Sequence, residues 1–290
     1  MDAKKLLITG AAGQVGTEIA ALAPARGWQT VALDQADLDI TDAARVSEAL
    51  PAIRPAAIVN AAAHTAVDRA ETEPEIAFAI NRDGPRHLAE AANRFHIPLL
   101  HISTDYVFDG TQTTPYRESD PPAPLGVYGK SKLAGDVAIQ AACPHHIILR
   151  VSWVFGQHGA NFVKTILRLA RERETLRVVD DQIGGPTPAP AIADTLLRLA
   201  DLCTRPGFDA WGTYHYCGAP ALSWHAFARF IIEAANLPCA CLPIPTTAYP
   251  TPAPRPANSR LACQAILDRF AIPQPDWRPH ALDMIRRLSQ

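Results

Sequence analysis

The fold of this chain is decided near its N-terminus by the stretch Lys5-Leu6-Leu7-Ile8-Thr9-Gly10-Ala11-Ala12-Gly13-Gln14-Val15-Gly16. A mostly apolar run leads directly into a turn with three glycines, and a segment with helical spacing of apolar residues follows it. A glycine-rich turn between a strand and a helix lets the backbone approach a pyrophosphate closely and points the helix N-terminus at its negative charge. The stretch therefore predicts a dinucleotide-binding turn at the start of an α/β fold.

Apolar runs of strand length alternate with helical stretches through the first two-thirds of the chain. Strands joined in this way lie parallel, and right-handed crossovers place helices on both faces of the sheet. The pattern predicts a Rossmann-type, doubly wound parallel sheet, in which Thr41 or Asp42 caps the second helix. The predicted strands are residues 6–9, 30–33, 57–60, 99–103, 147–151 and 176–179, and the predicted helices are residues 14–25, 43–53, 77–94, 133–142 and 162–173.

The composition of the chain changes after about residue 180. A dense proline segment spans residues 243–256. Because proline lacks an N–H and fixes φ, this segment predicts an extended loop rather than a helix or a central strand, and by composition alone it is a linker. We divide the chain into a dinucleotide-binding domain, mainly residues 1–180, and a smaller C-terminal substrate-binding lobe, mainly residues 181–290, with the chain crossing between the two.

Charge and cysteine content argue against several classes of protein. Lys and Arg number 27 against 29 Asp and Glu, so the net charge of −2 offers no broad surface for nucleic acid or an anionic membrane. The N-terminus enters a strand without a leader-like segment and no apolar run is long enough to span a membrane, which predicts a soluble cytoplasmic protein. The six cysteines lack metal-ligand spacing, so we expect buried free thiols. The doublet His145-His146 predicts the entry to a strand rather than a pair of ligands.

Three hydroxyl and amine side chains form a candidate acid/base site. Tyr128 and Lys132 are four residues apart at the start of a predicted helix, where the ammonium would lower the pKa of the phenol from its usual value of about 10. Thr104 follows an apolar strand, and ligands of open α/β sheets bind beyond the carboxyl ends of the strands. The alternatives are a surface Tyr and Lys at helical spacing and ordinary strand-end capping by Ser103 and Thr104.

Taken together, these motifs resemble the short-chain dehydrogenase/reductase superfamily. Gly10, Gly13 and Gly16 follow its GxxGxxG variant, and Thr104, Tyr128 and Lys132 occur in its chain order. Longer blocks resemble those of dTDP-4-dehydrorhamnose reductases across nearly the whole chain: residues 60–68, 103–110, 127–135, 150–155, 181–187 and 255–261. The resemblance implies reduction of the 4-keto group of dTDP-4-dehydro-6-deoxy-L-mannose to dTDP-L-rhamnose, a nucleotide sugar for cell-surface polysaccharides. It also favours a shaped loop of the substrate lobe, rather than a linker, for the proline segment.

The same resemblance assigns residues to the two ligands. It implies a hydride from NADH or NADPH and a proton from Tyr128, with Lys132 also contacting the nicotinamide ribose. Asp34 suits a free ribose 2′-OH and so favours NADH, although the family accepts either cofactor. Trp153, otherwise a core indole, joins a sugar pocket whose implied residues are Thr104, Asp105, Tyr106, Tyr128 and Trp153. The implied cofactor residues are Gly10, Gly13, Gln14, Val15, Gly16, Asp34, Asp39, Ile40, Ala61, Ala62, Ala63, Tyr128 and Lys132.

The chain departs from the family at one metal site. Some members pair their subunits through a divalent cation held by glutamates. Glu18 is available for such a site, but the stretch Pro188-Ala189-Pro190 carries no carboxylate. Hard cations need several oxygen ligands, so we expect no metal here. A homodimer is compatible with the resemblance.

Two other functions are open to a chain of this kind. A nucleotide-sugar dehydratase or epimerase shares the glycine turn and the Tyr/Lys pair, but elimination of water requires an adjacent acid/base pair, and here Tyr106 follows Asp105. A non-catalytic NAD(P)-binding regulatory subunit shares the fold, but it needs none of the three catalytic residues. The sequence therefore favours the reductase.

Overall fold

The computed structural model describes residues 4–288. Within this range the strands are β1 (Lys4–Thr9), β2 (Trp28–Leu33), β3 (Ala57–Asn60), β4 (Leu99–Thr104), β5 (His146–Val151), β6 (Val154–Phe155), β7 (Thr175–Val179), β8 (Ile183–Gly184), β9 (Thr187–Pro188), β10 (Gly212–His215), β11 (Leu222–Ser223), β12 (Ala240–Ile244) and β13 (Asn258–Ser259). The α-helices are α1 (Gln14–Leu22), α2 (Ala43–Ile53), α3 (Val67–Ala70), α4 (Pro74–Phe78), α5 (Gly84–Arg94), α6 (Val127–Ala142), α7 (Phe162–Glu172), α8 (Ala189–Cys203), α9 (Trp224–Ala234), α10 (Gln264–Phe270) and α11 (Trp277–Leu288).

Six parallel strands form the central sheet, in the order β2-β1-β3-β4-β5-β10. Every residue of β3 and β5 is buried, as expected for strands covered by helices on both faces. The predicted Rossmann-type, doubly wound α/β fold is confirmed. Since all six strands are parallel, their carboxyl ends share one edge of the sheet. The chain adds β2 on one side of β1 and the later strands on the other side, so the strand order reverses between β1 and β3.

Most of the helices agree with the sequence pattern to within a few residues, but α6 begins at Val127, six residues before the predicted start at residue 133. Asp42 caps α2, because its side chain accepts hydrogen bonds from the N–H groups of Ala44 and Arg45. The predicted helix 77–94 is longer than expected: α4 begins at Pro74 and a single π-helical turn, Ala79–Asp83, joins it to α5. His146 is the first residue of β5, so the strand-entry reading of the histidine doublet is confirmed.

The prediction that residues 176–179 form a strand of the central sheet is wrong. These residues belong to β7, which pairs with β12 in a separate two-stranded parallel sheet. Leu176 and Val179 are buried whereas Thr175 and Arg177 are exposed, so only one face of β7 is covered. The sixth central strand is β10, which arrives from the C-terminal third of the chain and pairs with β5.

The chain also forms a second, smaller core beside the sheet. Apolar side chains of α7, α9 and α11 form its centre, with Phe227 and Trp277 among them. By contrast, α8 and α10 contribute to the core of the central sheet through residues such as Ile192 and Ile266. Residues on both sides of position 180 therefore build each core. The boundary near residue 180 stays a prediction.

The proline segment is more regular than the predicted extended loop. Pro243 lies within β12, where it is tolerated because β12 is an edge strand with one partner. Thr246–Ala248 then form one turn of 3-10 helix. The remainder of the segment runs back to the central domain, where Asp68 binds Arg255.

Two further expectations concern thiols and membranes. The six cysteines are free thiols, five of them buried and Cys241 half-buried. Between residues 4 and 288 none of the helices combines the length and the apolar character that crossing a membrane requires.

Candidate active site

The glycine turn joins β1 to α1 as predicted. Gly10 has φ of +69°, and a Cβ added there would lie 2.4 Å from the backbone nitrogen of Ala62. A Cβ on Gly16 would lie 2.2 Å from the carbonyl oxygen of Gly10. Gly13 is the N-cap of α1 and makes no side-chain capping bond, so no side chain competes for the N–H groups of the first turn. This cradle of backbone fits a pyrophosphate.

The ends of β2 and β3 flank this turn. The Ala11 N–H donates to the Leu33 carbonyl at 3.1 Å, and the Ala61 N–H donates to the Thr9 carbonyl at 3.0 Å. The predicted cofactor residues Ala61, Ala62 and Ala63 are half-buried at the end of β3. The structure therefore brings them against the glycine turn at the point where the winding reverses.

The acidic cofactor candidates follow β2. Asp34 accepts a hydrogen bond from the Ala36 N–H at 2.8 Å. Asp39 accepts from the Thr41 N–H at 2.9 Å and the Thr41 hydroxyl at 2.8 Å, and these bonds hold the pKa of its carboxyl below the usual range. Ile40 is a core residue that packs against Gly84. The Ile40 side chain therefore lies in the core behind the segment that follows β2, whereas Asp34 and Asp39 are half-buried at the surface.

Thr104 ends β4, and Asp105 begins a 3-10 turn, Asp105–Val107. The Thr104 hydroxyl donates to Asp105 Oδ1 at 3.1 Å and accepts from the Tyr106 N–H at 3.2 Å. Burial raises the pKa of the Asp105 carboxyl to about 6. Its second oxygen is buried and has no hydrogen-bond partner among the described residues. The turn thus combines a hydroxyl and a partly protonated carboxyl at one strand end.

Tyr128 lies in the first turn of α6. Glu71 caps this helix from outside, because its carboxylate accepts the Val127 N–H at 2.8 Å. The rings of Tyr106 and Tyr128 meet edge to face with centroids 5.5 Å apart. Burial raises the pKa of Tyr128 to about 12, and a hydrogen bond with the Thr104 side chain acts in the opposite direction. Thr104 and Tyr128 are therefore neighbours, as predicted.

The contacts of the Lys132 side chain lie on β4 rather than at the Tyr128 hydroxyl. Its ammonium nitrogen lies 3.0 Å from His101 Nε2 and 2.7 Å from the Ile102 carbonyl oxygen. Burial lowers the pKa of Lys132 to about 8, against the charge of Asp136, which raises it. In this structure the pKa of Tyr128 is raised rather than lowered, because burial is the larger effect. The prediction of a depressed tyrosine pKa is wrong for this state.

Trp153 follows β5 in the left-handed region, with φ of 46°. Its indole is half-buried and stacks on that of Trp224, with centroids 3.4 Å apart. Gly184 makes room for it, since a Cβ there would lie 2.4 Å from Trp153 Cε2. Trp153 is therefore a partly exposed member of an aromatic stack rather than a fully buried core indole.

A cavity of about 590 Å³ opens between α7, β7, α9 and the proline segment. Tyr106 and Trp224 line it, so it adjoins both Tyr128 and Trp153 through ring contacts. Three arginine residues also line it, Arg173, Arg177 and Arg255. Apolar walls with several cations suit a ligand that carries a ring and phosphates.

Glu18, the metal candidate of the sequence, lies 3.8 Å from His158 Nε2. Among residues 4–288 no group of three or more His, Cys, Asp or Glu side chains has an arrangement that could hold a metal ion. Glu18 thus has a neighbouring imidazole as its partner.

Sequence reasoning missed several residues of this site. His101 is a fully buried polar residue inside β4, and its place within an apolar strand was the available signal. Arg255 makes a two-pronged ion pair with Asp68, at 2.8 and 3.1 Å, which joins the proline segment to the central domain. Trp224 and Tyr249 line the cavity without any motif that marks them.

The fold and this site together define an oxidoreductase of the short-chain dehydrogenase/reductase type, with a glycine cradle, a Thr-Tyr-Lys set and a separate cavity for the substrate.

Comparisons with known proteins give the family. The family model described as RmlD substrate binding domain matches residues 4–290. The dTDP-4-dehydrorhamnose reductase of Aggregatibacter actinomycetemcomitans is 45% identical over 294 residues, covering 99% of each chain. The crystal structure of a dTDP-4-dehydrorhamnose reductase from Clostridium acetobutylicum has a TM-score of 0.94 at 35% identity, covering 99% of this chain and 100% of that one. The enzyme of Bacillus anthracis in complex with NADP has a TM-score of 0.92 at 35% identity, covering 98% of this chain and 99% of that one.

This chain belongs to the dTDP-4-dehydrorhamnose reductase family. The expectation of an NAD(P)H-dependent oxidoreductase in dTDP-rhamnose biosynthesis is confirmed, and the reductase is favoured over the dehydratase, the epimerase and the regulatory subunit.

Proposed function

We propose that this chain reduces the 4-keto group of dTDP-4-dehydrorhamnose to give dTDP-L-rhamnose, and that Thr104, Tyr128 and Lys132 are its catalytic residues. One observation carries the assignment of the residues. Tyr128, in the first turn of α6, lies beside Thr104 at the carboxyl end of β4, on the sheet edge that carries the glycine turn. Tyr106 contacts the Tyr128 ring and lines the cavity, so it links this pair to the cavity.

The reaction needs a hydride at the keto carbon and a proton at the keto oxygen. NADH or NADPH supplies the hydride when bound. Tyr128 donates its phenolic proton to the oxygen, and the Thr104 hydroxyl donates a hydrogen bond to the same oxygen as charge develops. Because burial raises the pKa of Tyr128 to about 12, the phenol keeps its proton at neutral pH until the forming alkoxide takes it. Lys132, as an ammonium, stabilises the phenolate that remains.

The cofactor site is assigned to the glycine turn and the strand ends beside it. Gly10, Gly13 and Gly16 leave room for a pyrophosphate, and the first turn of α1 offers its N–H groups. The relative from Bacillus anthracis was crystallised with NADP. We assign Asp34 and Asp39 to the adenosine half, and Tyr128 and Lys132 to the nicotinamide half.

The cavity is assigned to the nucleotide part of the substrate. Arg173, Arg177 and Arg255 supply positive charge for the diphosphate, and Trp224 supplies an aromatic face for a base or sugar. Asp105, Tyr106 and Trp153 are assigned to the sugar. Tyr106 touches both the cavity and Tyr128, Asp105 is bonded to Thr104, and Trp153 stacks on Trp224, which lines the cavity.

Three further properties belong to this proposal. We expect the chain to act in the cytoplasm and to bind no nucleic acid, in keeping with its net charge of −2. A homodimer is compatible with the family. The functional division into a cofactor domain and a substrate lobe near residue 180 is part of the same proposal.

A direct assay tests the function. Purified protein mixed with NADPH and dTDP-4-dehydrorhamnose should consume one NADPH for each dTDP-L-rhamnose formed. A matched reaction with NAD⁺ and dTDP-glucose is the control, and formation of a 4-keto-6-deoxy sugar there would contradict the proposal in favour of a dehydratase. Tight binding of NADPH with no turnover of dTDP-4-keto sugars would support the regulatory alternative instead.

A further inference from the structure

A chain of buried polar side chains runs beneath the catalytic residues, from β1 across β3 and β4 to α6. Thr9, Asn60, His101 and Lys132 are each 1% exposed or less. The Thr9 hydroxyl lies 2.8 Å from Asn60 Oδ1, Asn60 Nδ2 lies 3.0 Å from His101 Nδ1, and His101 Nε2 lies 3.0 Å from Lys132 Nζ. Since groups this deeply buried must pair donor with acceptor, the contacts fix the positions of the protons.

The amide of Asn60 can take only one orientation. The backbone N–H of Ala62 lies 3.0 Å from Asn60 Oδ1, and a backbone N–H can only donate. The atom that faces Ala62 and Thr9 is therefore the oxygen. The NH₂ group of Asn60 consequently faces His101 and donates to it.

The orientation of Asn60 determines the tautomer of His101. Nδ1 accepts the Asn60 proton and so carries none of its own, which excludes both the Nδ1–H tautomer and the imidazolium. Burial also lowers the pKa of His101 well below its usual value, in agreement with a neutral ring. The proton of this ring is on Nε2 and points at Lys132.

Lys132 therefore faces a donor. An ammonium has three donors and no acceptor, so it cannot accept the His101 Nε2–H, whereas a neutral amine can accept it with its lone pair. The amine also keeps an N–H for the Ile102 carbonyl oxygen, 2.7 Å away. Both contacts of Lys132 are satisfied only in the amine form.

We propose that His101, oriented by Asn60, is a positioning residue that stabilises the amine form of Lys132 and so lets this lysine release and take up a proton during the reaction. The catalytic consequence of this proposal rests on the proposed function. The assignment of donors and acceptors among Asn60, His101 and Lys132 does not depend on it. The Lys132 ammonium becomes a stronger acid. After Tyr128 has given its proton to the keto oxygen, the Lys132 ammonium passes one proton to the phenolate through an intervening water molecule and becomes the amine that His101 stabilises. A hydronium ion from solvent then restores the ammonium, so that one solvent proton is consumed for each ketone reduced.

The other titratable groups around Lys132 do not change the direction of the hydrogen bond from His101 to Lys132. Asp136, one turn further along α6, favours the ammonium through its charge, but it is itself bonded to Arg150 at 3.2 Å and to Ser103 at 2.9 Å. Burial lowers the pKa of His146 on β5, which disfavours a positive charge there. Tyr128 is a neutral phenol until it reacts, because burial raises its pKa.

Nuclear magnetic resonance of the full-length protein tests the proton positions. Nitrogen-15 shifts of the His101 ring should show the Nε2–H tautomer from about pH 5 to 9. Observation of the Nδ1–H tautomer or of an imidazolium would overturn the proposal. The chain has five lysines, so labelled lysine gives few signals from which the pKa of Lys132 can be followed.

The variant His101→Leu separates this role from simple burial. Replacing an imidazole by an apolar group would, through burial alone, lower the pKa of Lys132 further. Loss of the donor should instead raise it by about one unit or more. The alkaline limb of the reductase pH profile should move up by the same amount. An unchanged or lowered pKa would overturn the proposal.

Two more variants complete the test. Thr9→Val removes the buried hydrogen bond from the Thr9 hydroxyl to Asn60. The Ala62 N–H still orients the Asn60 amide, so the pKa of Lys132 should not change. If His101→Leu does not fold, Asn60→Asp serves in its place, because a carboxylate only accepts and moves the His101 proton to Nδ1. The ring should then report the Nδ1–H tautomer, and persistence of Nε2–H would contradict the proposal. These spectra require no substrate, so they stay interpretable if the reductase assay fails.

Discussion

At the scale of single residues, the environment of Tyr128 differs from the one that the Tyr-x-x-x-Lys spacing suggests. The spacing places a cation one turn from the phenol, but the Lys132 side chain turns to His101 and the Ile102 carbonyl. Burial then dominates and raises the pKa of Tyr128 to about 12. Spacing along a helix specifies which face a side chain occupies, whereas the partners beneath that face determine where its charge lies.

The pH dependence of activity follows from Lys132. Burial lowers its pKa to about 8, so the ammonium is present below that pH and is lost as pH rises through it. We expect kcat/KM for the keto sugar, measured at saturating NADPH from pH 6 to 10, to fall on the alkaline side near pH 8. Lys132→Met should lower activity at all pH values and remove this limb. Persistence of the same limb in Lys132→Met would show that another group causes it.

Trp153→Ala should raise KM for the dTDP-keto sugar while it leaves the Kd for NADPH and the Tm largely unchanged. The indole is half-buried and stacks on Trp224, which lines the cavity. Truncation of a core aromatic costs about 3–5 kcal/mol of stability, so the two roles have different signatures. Trp153→Phe, which keeps a stacked ring, is the matched control. A strongly lowered Tm with an unchanged KM would make Trp153 a structural residue.

At the scale of elements, the first turn of α6 is held against the turn that follows β4. A Cβ on Gly129 would lie 2.2 Å from the carbonyl oxygen of Tyr106 and 2.9 Å from Pro124 Cβ. This contact sets the distance between Tyr128 on α6 and Thr104 at the end of β4. The glycine therefore positions the two hydroxyls that we propose to be catalytic.

Gly129→Ala separates helix propensity from this contact. Alanine inside a helix is favoured over glycine by about 1 kcal/mol, which by itself would raise the Tm. The clash with Tyr106 should outweigh that gain, lower the Tm and reduce kcat by about 10- to 100-fold, because small displacements of reacting groups cost rates of this order. Lys130→Ala changes an exposed neighbour and should leave kcat unchanged. A more stable Gly129→Ala enzyme with normal kcat would contradict this account.

The elements also show why part of the fold could be predicted and part could not. Strands such as β3 and β5 are mostly apolar because they are buried on both faces, and their positions are evident in the sequence. β10 is short and half-exposed, and it joins the sheet through pairing with β5 from a distant part of the chain. β7 also contains an apolar run but is buried on only one face. The sheet that it joins depends on tertiary contacts that the local sequence pattern does not contain.

At the scale of the whole molecule, the cavity depends on segments far apart in the chain. The motifs predicted the glycine turn and the proposed catalytic hydroxyls, because each is set by local sequence. Arg255 reaches the central domain only because the proline segment folds back to Asp68, 187 residues away. No local pattern indicates such a contact, so the walls of the cavity became visible only in the structure.

Arg255→Met should weaken nucleotide-sugar binding, since it removes a cation from the cavity and the partner of Asp68. We expect KM for the dTDP-keto sugar and Kd for dTDP to rise about tenfold or more, as for loss of a charge-assisted contact to phosphate, with little change in Kd for NADPH. Arg286→Met, at an exposed position on α11, is the control. Equal losses of NADPH and dTDP binding would indicate a general disturbance of the fold.

Single-turnover kinetics of Tyr128→Phe show whether Tyr128 delivers the proton that completes ketone reduction. The variant keeps the ring and its contact with Tyr106 but has no proton to give. With NADPH bound and dTDP-4-dehydrorhamnose added, we predict normal NADPH affinity and a rate of NADPH oxidation lowered by about 10²- to 10⁴-fold, the usual loss of a general acid. A rate near that of the wild-type enzyme, under conditions where hydride transfer is rate-limiting, would contradict the account.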